Sequence, residues 1–213
     1  MPRDTDNAGG IINAQNLFHF FKYLVYALLS YNAFLFFQGD LAASAQTYGD
    51  TVTWGNFIEA YAATIDDAAW VLLLFLFELE TAVIPDHLLK GWLNWIITGL
   101  SVIAYIFIVY AFYGYCAKYV VLTEREAFAI NDVCRLLGTD FTYVRSLDDY
   151  LPIDQAACAA MQGRELMRMI GTSIIGTPQA FVEATRLAIV DIVNAADWLV
   201  IVALLEIEVY LQL

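Results

Sequence analysis

Basic residues are scarce in this sequence. Ten Lys and Arg stand against 23 Asp and Glu, which gives a formal net charge of −13. This balance excludes a nucleic-acid-binding protein, because binding phosphates needs clustered basic side chains. Charged residues of both signs make up only 15% of the chain, and 61% of it is hydrophobic. Soluble domains carry about 25% charged residues, so the composition indicates a membrane protein and excludes a disordered chain.

The motifs of common enzymes and cofactor-binding domains are also missing. The sequence has no Gly-rich phosphate loop, no Gly-x-Ser-x-Gly, no Cys-x-x-Cys and no His-Glu-x-x-His. Its two histidines are too few to ligate a haem on both sides and do other work. We therefore expect no enzyme activity, no cofactor and no bound metal.

Four hydrophobic segments are long enough to cross a bilayer. The first three cover residues 17–38, 57–84 and 92–121, and the fourth runs from about residue 187 to residue 213. About 20 apolar residues in a helix span the hydrocarbon core, which is roughly 30 Å thick. Residues 39–56, between the first two segments, contain no Lys or Arg and are predicted to form a loop.

These segments predict an all-α integral membrane protein with four transmembrane helices. A small extracytoplasmic α+β cap is expected between the third and fourth helices, because that stretch has a near-average composition. The predicted organisation is a polar N-terminal segment (1–16), helices one to three (17–121), the cap (122–180) and helix four (181–213).

The cap contains signals for helices and a strand. Thr123 followed by Glu126 has the spacing of a capping box, which predicts a helix that begins there. Residues 141–147 predict a strand, and Asp154 predicts the N-cap of a short helix. A module this small needs a further stabilising link, and a disulfide between Cys134 and Cys158 would supply it.

The predicted disulfide also bears on the location of the cap. Disulfides persist in oxidising compartments, so we expect residues 122–180 outside the cytoplasm and both termini inside, in a multi-pass protein of the cell membrane. The short flanking segments agree, because Arg3, Lys22 and Lys90 all fall on the predicted inner side. The alternative is that the two cysteines are unrelated buried thiols.

The second and fourth hydrophobic segments share a pattern. Trp70, seven apolar residues and Glu78-Leu79-Glu80 correspond, at a constant offset of 128, to Trp198, seven apolar residues and Glu206-Ile207-Glu208. Chance similarity of apolar segments is the alternative explanation. The shared pattern favours two repeated helical hairpins in the same orientation.

Most of the excess negative charge falls on these two segments. Neither segment contains a Lys or Arg. An ionised carboxylate at the centre of a bilayer costs roughly 2.5–3.5 kcal/mol on insertion scales, so such groups normally face a bundle interior, a water-filled cavity or a partner. The candidate residues are Glu78, Glu80, Glu206 and Glu208, with Asp66, Asp67, Asp191 and Asp197 further along the same route.

Two functions remain open at this point. In the first, a homo-oligomer in the lipid bilayer lets cations or protons permeate along these acids, as acidic rings do in cation channels. In the second, the chain is a non-catalytic accessory subunit of a larger membrane complex, whose basic residues pair with the acids. Within the chain, Lys22 is the predicted counter-charge.

Overall fold

Three helices have the length and composition of membrane-spanning segments. The computed structural model describes residues 14–49, 52–85 and 91–211. Among these residues, the helical segments Asn16–Thr47, Trp92–Thr123 and Pro178–Leu204 are long and apolar enough to cross a membrane, with mean hydropathies of 1.4, 2.1 and 2.1. Few of their side chains are buried inside the chain. Apolar helices exposed on most sides indicate a membrane-embedded protein.

Helix α1 covers Ala14–Thr47 and is longer than predicted. The prediction of a loop over 39–56 is wrong for its first nine residues, because the helix continues beyond Gly39. Asp40, inside the helix, is buried and accepts hydrogen bonds from the Thr64 backbone N–H and hydroxyl, at 2.9 and 2.7 Å. These hydrogen bonds compensate for the removal of the Asp40 carboxylate from water, so the helix can continue through this position. Residues 1–13 of the predicted N-terminal segment lie outside the described residues.

The second hydrophobic segment is broken into three parts. Helix α2 covers Phe57–Ala60, α3 covers Ala62–Glu78, and a π-helical stretch covers Leu79–Val83. Helix α3 has 17 residues and is therefore about 25 Å long, a little less than the hydrocarbon thickness. The count of four spans therefore stays a prediction, whereas three span-length helices are present.

The break between α2 and α3 lies against helix α4, which covers Trp92–Thr123. A Cβ atom on Gly114 of α4 would come within 2.6 Å of the Ile58 carbonyl oxygen and 2.9 Å of the Ala62 Cβ atom. Only glycine permits this approach. The absence of a side chain at Gly114 thus lets α4 pack closely against the junction of the two helices.

The helices pack in chain order and in alternating directions. Helix α3 packs against α1 and α4, and α4 also packs against α6, which covers Pro178–Leu211. Residues near the end of α1 contact the start of α3, so these helices are antiparallel. Ala69, Ala104 and Ile108 form a small core between α3 and α4. The carboxyl ends of α1 and α4 and the amino ends of α3 and α6 therefore lie at the same end, beside the cap.

The cap folds as an α+β unit around a five-stranded sheet. The strand order is β1-β4-β5-β2-β3, in which only β2 and β5 are parallel to each other. A short helix, α5, lies at Gln155–Met161. The strands are β1 Arg125–Ala127, β2 Thr142–Ser146, β3 Asp149–Pro152, β4 Met167–Met169 and β5 Ile174–Gly176.

The cap shares a hydrophobic core with the helices. Leu122 near the end of α4 and Phe181 near the start of α6 are buried together with Val144, Met169 and Ile174 of the sheet. Burial of this kind stabilises the contact by roughly 25 cal/mol for each Å² of apolar surface. The sheet is thereby anchored on the ends of two long helices.

Two of the three predicted cap elements are present and one is wrong. The predicted strand at 141–147 is β2, and Asp154 caps α5 by accepting a hydrogen bond from the Ala157 N–H at 2.7 Å. No helix begins at Thr123, which instead ends α4 with its hydroxyl donating to the Val120 carbonyl. Glu126 lies in strand β1 and pairs with Arg168 of β4 across the sheet. The backbone pairing of β1 with β4 and the Glu126–Arg168 ion pair replace the capping box that the local sequence predicted.

The disulfide between Cys134 and Cys158 is confirmed. It joins a 3₁₀ turn at Val133–Leu136 to α5, with the two Cα atoms 5.0 Å apart. A second hydrophobic core surrounds it, formed by residues of the turn, α5 and β5. The disulfide therefore links the part of the cap that lies away from the long helices.

Candidate functional site: a carboxylate-lined cavity

The glutamate at the end of α3 is held by the predicted counter-charge. The Lys22 ammonium of α1 lies 2.5 Å from the Glu78 Oε1 atom, and the Tyr26 hydroxyl donates to the other carboxylate oxygen at 3.1 Å. Charge-assisted hydrogen bonds of this type are among the stronger ones. Glu78 is thus satisfied within the chain.

Of the other three glutamates of the predicted group, only Glu80 has a side chain among the described ones. Glu80 lies on the π-helical stretch with its side chain exposed. Glu206 and Glu208 lie on the last turns of α6, and their side chains are outside the described residues.

A second buried ion cluster joins the bundle to the cap. The Lys118 ammonium of α4 lies 2.8 Å from the Asp148 Oδ2 atom and 3.7 Å from the Asp40 Oδ1 atom. The side chains of Lys118 and Asp40 are only 13% and 4% exposed. Asp148 occupies the turn between β2 and β3 with a φ of 59°. This turn directs a carboxylate from the cap onto the helix, so Lys118 links α1, α4 and the cap.

Sequence reasoning missed this cluster. Asp40 was predicted to lie in a loop, and Lys118 lies in the third predicted helix, where it was assigned no partner. The one available signal was that Lys118 follows Tyr115 on an apolar helix, at a spacing that puts both on one face.

Two tyrosines complete the contact between cap and bundle. Tyr48 hydrogen-bonds to Glu59 of α2, and Tyr150 of β3 hydrogen-bonds to Thr47 at the end of α1. Burial raises the pKa of both phenols above the ordinary tyrosine value. Both hydroxyls therefore keep their protons at neutral pH; the Tyr48 hydroxyl donates to the Glu59 carboxylate, and the Tyr150 hydroxyl accepts from Thr47.

Three of the remaining acids of the two repeated segments line a cavity between the long helices. Its volume is about 650 Å³, and α1, α3, α4 and α6 all contribute to its walls. Asp66 and Asp67 of α3 and Asp191 of α6 line it. The rest of the wall is mostly apolar and aromatic: Leu29, Phe36, Ala63, Trp70, Val71, Leu73, Leu74, Phe77, Tyr105, Tyr115, Asn194, Trp198 and Val202.

Two of the cavity carboxylates, Asp66 and Asp67, have neutral partners or none, whereas Asp191 interacts electrostatically with Lys118. Asp66 accepts hydrogen bonds from the Trp70 indole N–H at 3.0 Å and from the Tyr115 hydroxyl at 3.2 Å. The Oδ2 atom of Asp67 is buried and accepts no hydrogen bond from the described residues. In the described part of the chain, no Lys or Arg nitrogen lies within 4 Å of either aspartate or of Asp191.

The two copies of the sequence repeat face each other across this cavity. Trp70 and Trp198 are equivalent at the offset of 128, and their ring centroids lie 5.6 Å apart. Three further pairs at the same offset line the cavity. These pairs are Ala63 with Asp191, Asp66 with Asn194, and Leu74 with Val202. Equivalent positions of the repeat therefore line the cavity, one set on α3 and the other on α6.

Asp197 is placed differently from the other predicted aspartates. Its side chain is exposed on α6 and does not line the cavity. Its repeat partner is the small, buried Ala69. Of the four aspartates expected along one route, the structure thus brings together Asp66, Asp67 and Asp191.

The polar groups of this site suit a positive charge. Three carboxylates and the Asn194 amide line the cavity, and no basic side chain does so among the described residues. No group of three or more His, Cys, Asp or Glu side chains that could hold a metal ion occurs in the described parts of the chain. No family model, curated protein or solved structure matches this chain.

Proposed function

We propose that this membrane protein lets cations or protons permeate, with Asp66, Asp67 and Asp191 as the groups that take the positive charge. One observation carries the proposal: these acids lie in a cavity between apolar helices without a Lys or Arg within 4 Å in the described residues. Carboxylates at such positions are costly and are typical of ion and proton pathways. By contrast, Glu78 has Lys22 as its partner, and Asp40 and Asp148 have Lys118.

The cavity lies within a single chain, so binding of a cation there does not require the predicted homo-oligomer. The proposal also assigns the glutamates and aspartates different roles. Glu78 is engaged by Lys22 and stabilises the packing of α1 on α3. The aspartates, held by neutral donors or by none, remain available to a cation.

The proposal is tested by cation flux in liposomes that contain the purified protein. Sodium, potassium and proton fluxes are measured for the wild type and for the double variant Asp66→Asn/Asp67→Asn, which keeps the shapes and removes the charges. We expect the flux of the double variant to fall to that of empty liposomes. Asp197→Asn is the matched control, since it removes an acid of the same repeat that lies outside the cavity. Wild-type flux equal to that of empty liposomes, or undiminished in the double variant, overturns the proposal.

We place the cap outside the cytoplasm and both termini inside, in the cell membrane. The support is the disulfide between Cys134 and Cys158, since such bonds persist in oxidising compartments. Protease added to sealed, right-side-out vesicles is expected to cleave within 122–180. Protection of that stretch until the vesicles are opened would contradict this orientation.

A second candidate, the accessory subunit, is favoured by Asp197. Its exposed carboxylate lies inside the apolar span Pro178–Leu204, and a lipid-facing carboxylate is unfavourable. A basic residue of a membrane partner would satisfy it. Protein extracted from its native membrane with lipid is expected to retain a stoichiometric partner, which Asp197→Lys would release and Asp197→Glu would keep. Retention of the partner by Asp197→Lys, or its absence from the wild type, excludes this role for Asp197.

A further inference from the structure

The residues that line the cavity indicate which class of cation binds there. We propose that the cavity binds an organic ammonium ion, with the charged head at Asp66 and Asp67 and the apolar body against the aromatic walls. This inference rests on the proposed function, because it names the cation that the same carboxylates would take. Its three supports are the size of the cavity, its aromatic walls and its charge.

The size of the cavity is that of a site for a small molecule. Its volume of about 650 Å³ falls within the range of roughly 300–1,000 Å³ found for such sites, which are mostly apolar with a few converging polar groups. A bare metal ion instead requires several oxygen ligands at bonding distance. The described residues contain no metal-holding group of His, Cys, Asp or Glu side chains. An ammonium ion with an apolar body matches both the volume and the walls.

Aromatic rings lie beside the carboxylates. The Trp70 indole donates to Asp66, which fixes the ring next to the charge, and the Trp198 ring contacts it at 5.6 Å between centroids. Tyr115 also donates to Asp66, and Tyr105 lines the same space. Aromatic rings attract cations through their quadrupoles and form the cages that recognise quaternary ammonium ligands. Rings and carboxylates thus favour the same kind of ligand head.

The charge of the cavity excludes the main competing occupants. Asp66, Asp67 and Asp191 give it a negative potential, and no basic side chain lines it among the described residues. An anionic or zwitterionic ligand would bring its own negative charge next to these acids. A neutral lipid chain would fill the apolar volume but leave the free Asp67 oxygen without a partner. A cationic head with an apolar body satisfies both features.

Binding of a probe cation tests the proposal. Radiolabelled benzyltrimethylammonium is dialysed against the full chain in lipid nanodiscs, and binding to empty nanodiscs is subtracted. The neutral isostere neopentylbenzene serves as the competitor that lacks the charge. We expect saturable binding of the cation that an equal concentration of neopentylbenzene does not displace. Displacement by an equal concentration of the isostere would overturn the proposal, because it would show an apolar groove for a lipid chain.

Variants locate the binding. Asp66→Asn/Asp67→Asn is expected to weaken binding by roughly tenfold or more, as when a charged partner is replaced by a neutral one. Trp198→Leu, which removes a partly exposed ring and keeps all charges, is expected to weaken it by roughly threefold. Asp197→Asn is expected to bind like the wild type. Wild-type affinity in both the double variant and Trp198→Leu would overturn the proposal, and the second variant decides the matter if the first does not fold.

The binding and flux experiments fail in different ways. Inorganic cation or proton flux that depends on Asp66 and Asp67, without binding of the probe, overturns the ammonium site and leaves the proposed function standing. Probe binding that depends on the two aspartates, without flux of the probe, of inorganic cations or of protons, supports the site and overturns the proposed function. Competition between probe and flux in the wild type supports both.

Discussion

The ion pairs of the helical bundle and the cavity between its helices use the same residue type in different ways. In the ion pairs, Glu78 faces Lys22, and Asp40 and Asp148 share Lys118. In the cavity, the donors to Asp66 among the described residues are the neutral groups of Trp70 and Tyr115. A carboxylate with a lysine partner holds helices together, whereas one without a partner is available for a ligand. Substitutions that remove the lysines or the carboxylates of one group at a time test whether the two groups have different roles.

The largest loss of stability is expected from Lys118→Met. It leaves Asp40 and Asp148 buried without a counter-charge, and breaking a buried pair from one side costs about 3–5 kcal/mol. The free energy of unfolding in mixed micelles measures the loss. Arg135→Met is the control, since Arg135 is 83% exposed in its pair with Asp132 and such pairs contribute about 0–1 kcal/mol. Equal stability of the two variants would contradict a structural role for Lys118.

A loss of about 3 kcal/mol is expected when both Cys134 and Cys158 are replaced by serine. The disulfide spans 24 residues, and closing a loop of that length lowers the entropy of the unfolded chain by about this amount. Limited proteolysis is expected to cleave the cap faster and to leave the long helices intact. Cys116→Ser, which removes the free thiol of α4, is the control. Unchanged cleavage in the double serine variant would show that the cap is held by its contacts with the helices alone.

Lys22→Met is expected to lower the unfolding midpoint less than Lys118→Met. The Lys22–Glu78 pair joins two helices. The Lys118 cluster, in contrast, contains two carboxylates and also joins the helices to the cap. Adding Glu78→Gln to Lys22→Met is expected to recover much of the loss, because no unpaired charge then remains. A double variant as unstable as the single one would show that packing of the Lys22 side chain, and not its charge, matters there.

Asp66→Asn/Asp67→Asn is expected to change stability least. The charges that it removes lie in an apolar setting without a basic partner in the described residues, and removing them leaves no orphaned lysine. The free energy of unfolding is expected to stay within about 1 kcal/mol of the wild type or to rise. A loss as large as that of Lys118→Met would place these aspartates among the structural groups.

The sequence predicted those parts of the fold that depend on residues close together in the chain, such as the length of an apolar segment or a helix cap. Long apolar runs predicted four spans, of which three are present as span-length helices among the described residues, and Asp154 predicted a capped helix. The pair Cys134 and Cys158 predicted a covalent link within the cap. Contacts between distant residues were not predictable: Lys118 meets Asp40 across 78 positions, and the close approach at Gly114 depends on how α4 packs.

The candidate site was predictable in composition but not in arrangement. The offset of 128 made Trp70 and Trp198 equivalent, yet it did not show that their rings touch across a cavity. The sequence placed Asp197 on the same route as Asp67. The face of α6 that points inward depends on the helices packed against it, which the sequence pattern does not show. The structure places Asp197 outside and Asp67 inside.

Cation flux per folded molecule tests the central claim most directly. The flux of Asp66→Asn/Asp67→Asn and of Asp197→Asn is compared with that of the wild type at matched protein content in liposomes. We predict that the first variant falls to the level of empty liposomes while its unfolding free energy is unchanged, and that the second keeps wild-type flux. Full flux in the first variant, or equal loss in both, would contradict the assignment of the cavity aspartates to permeation.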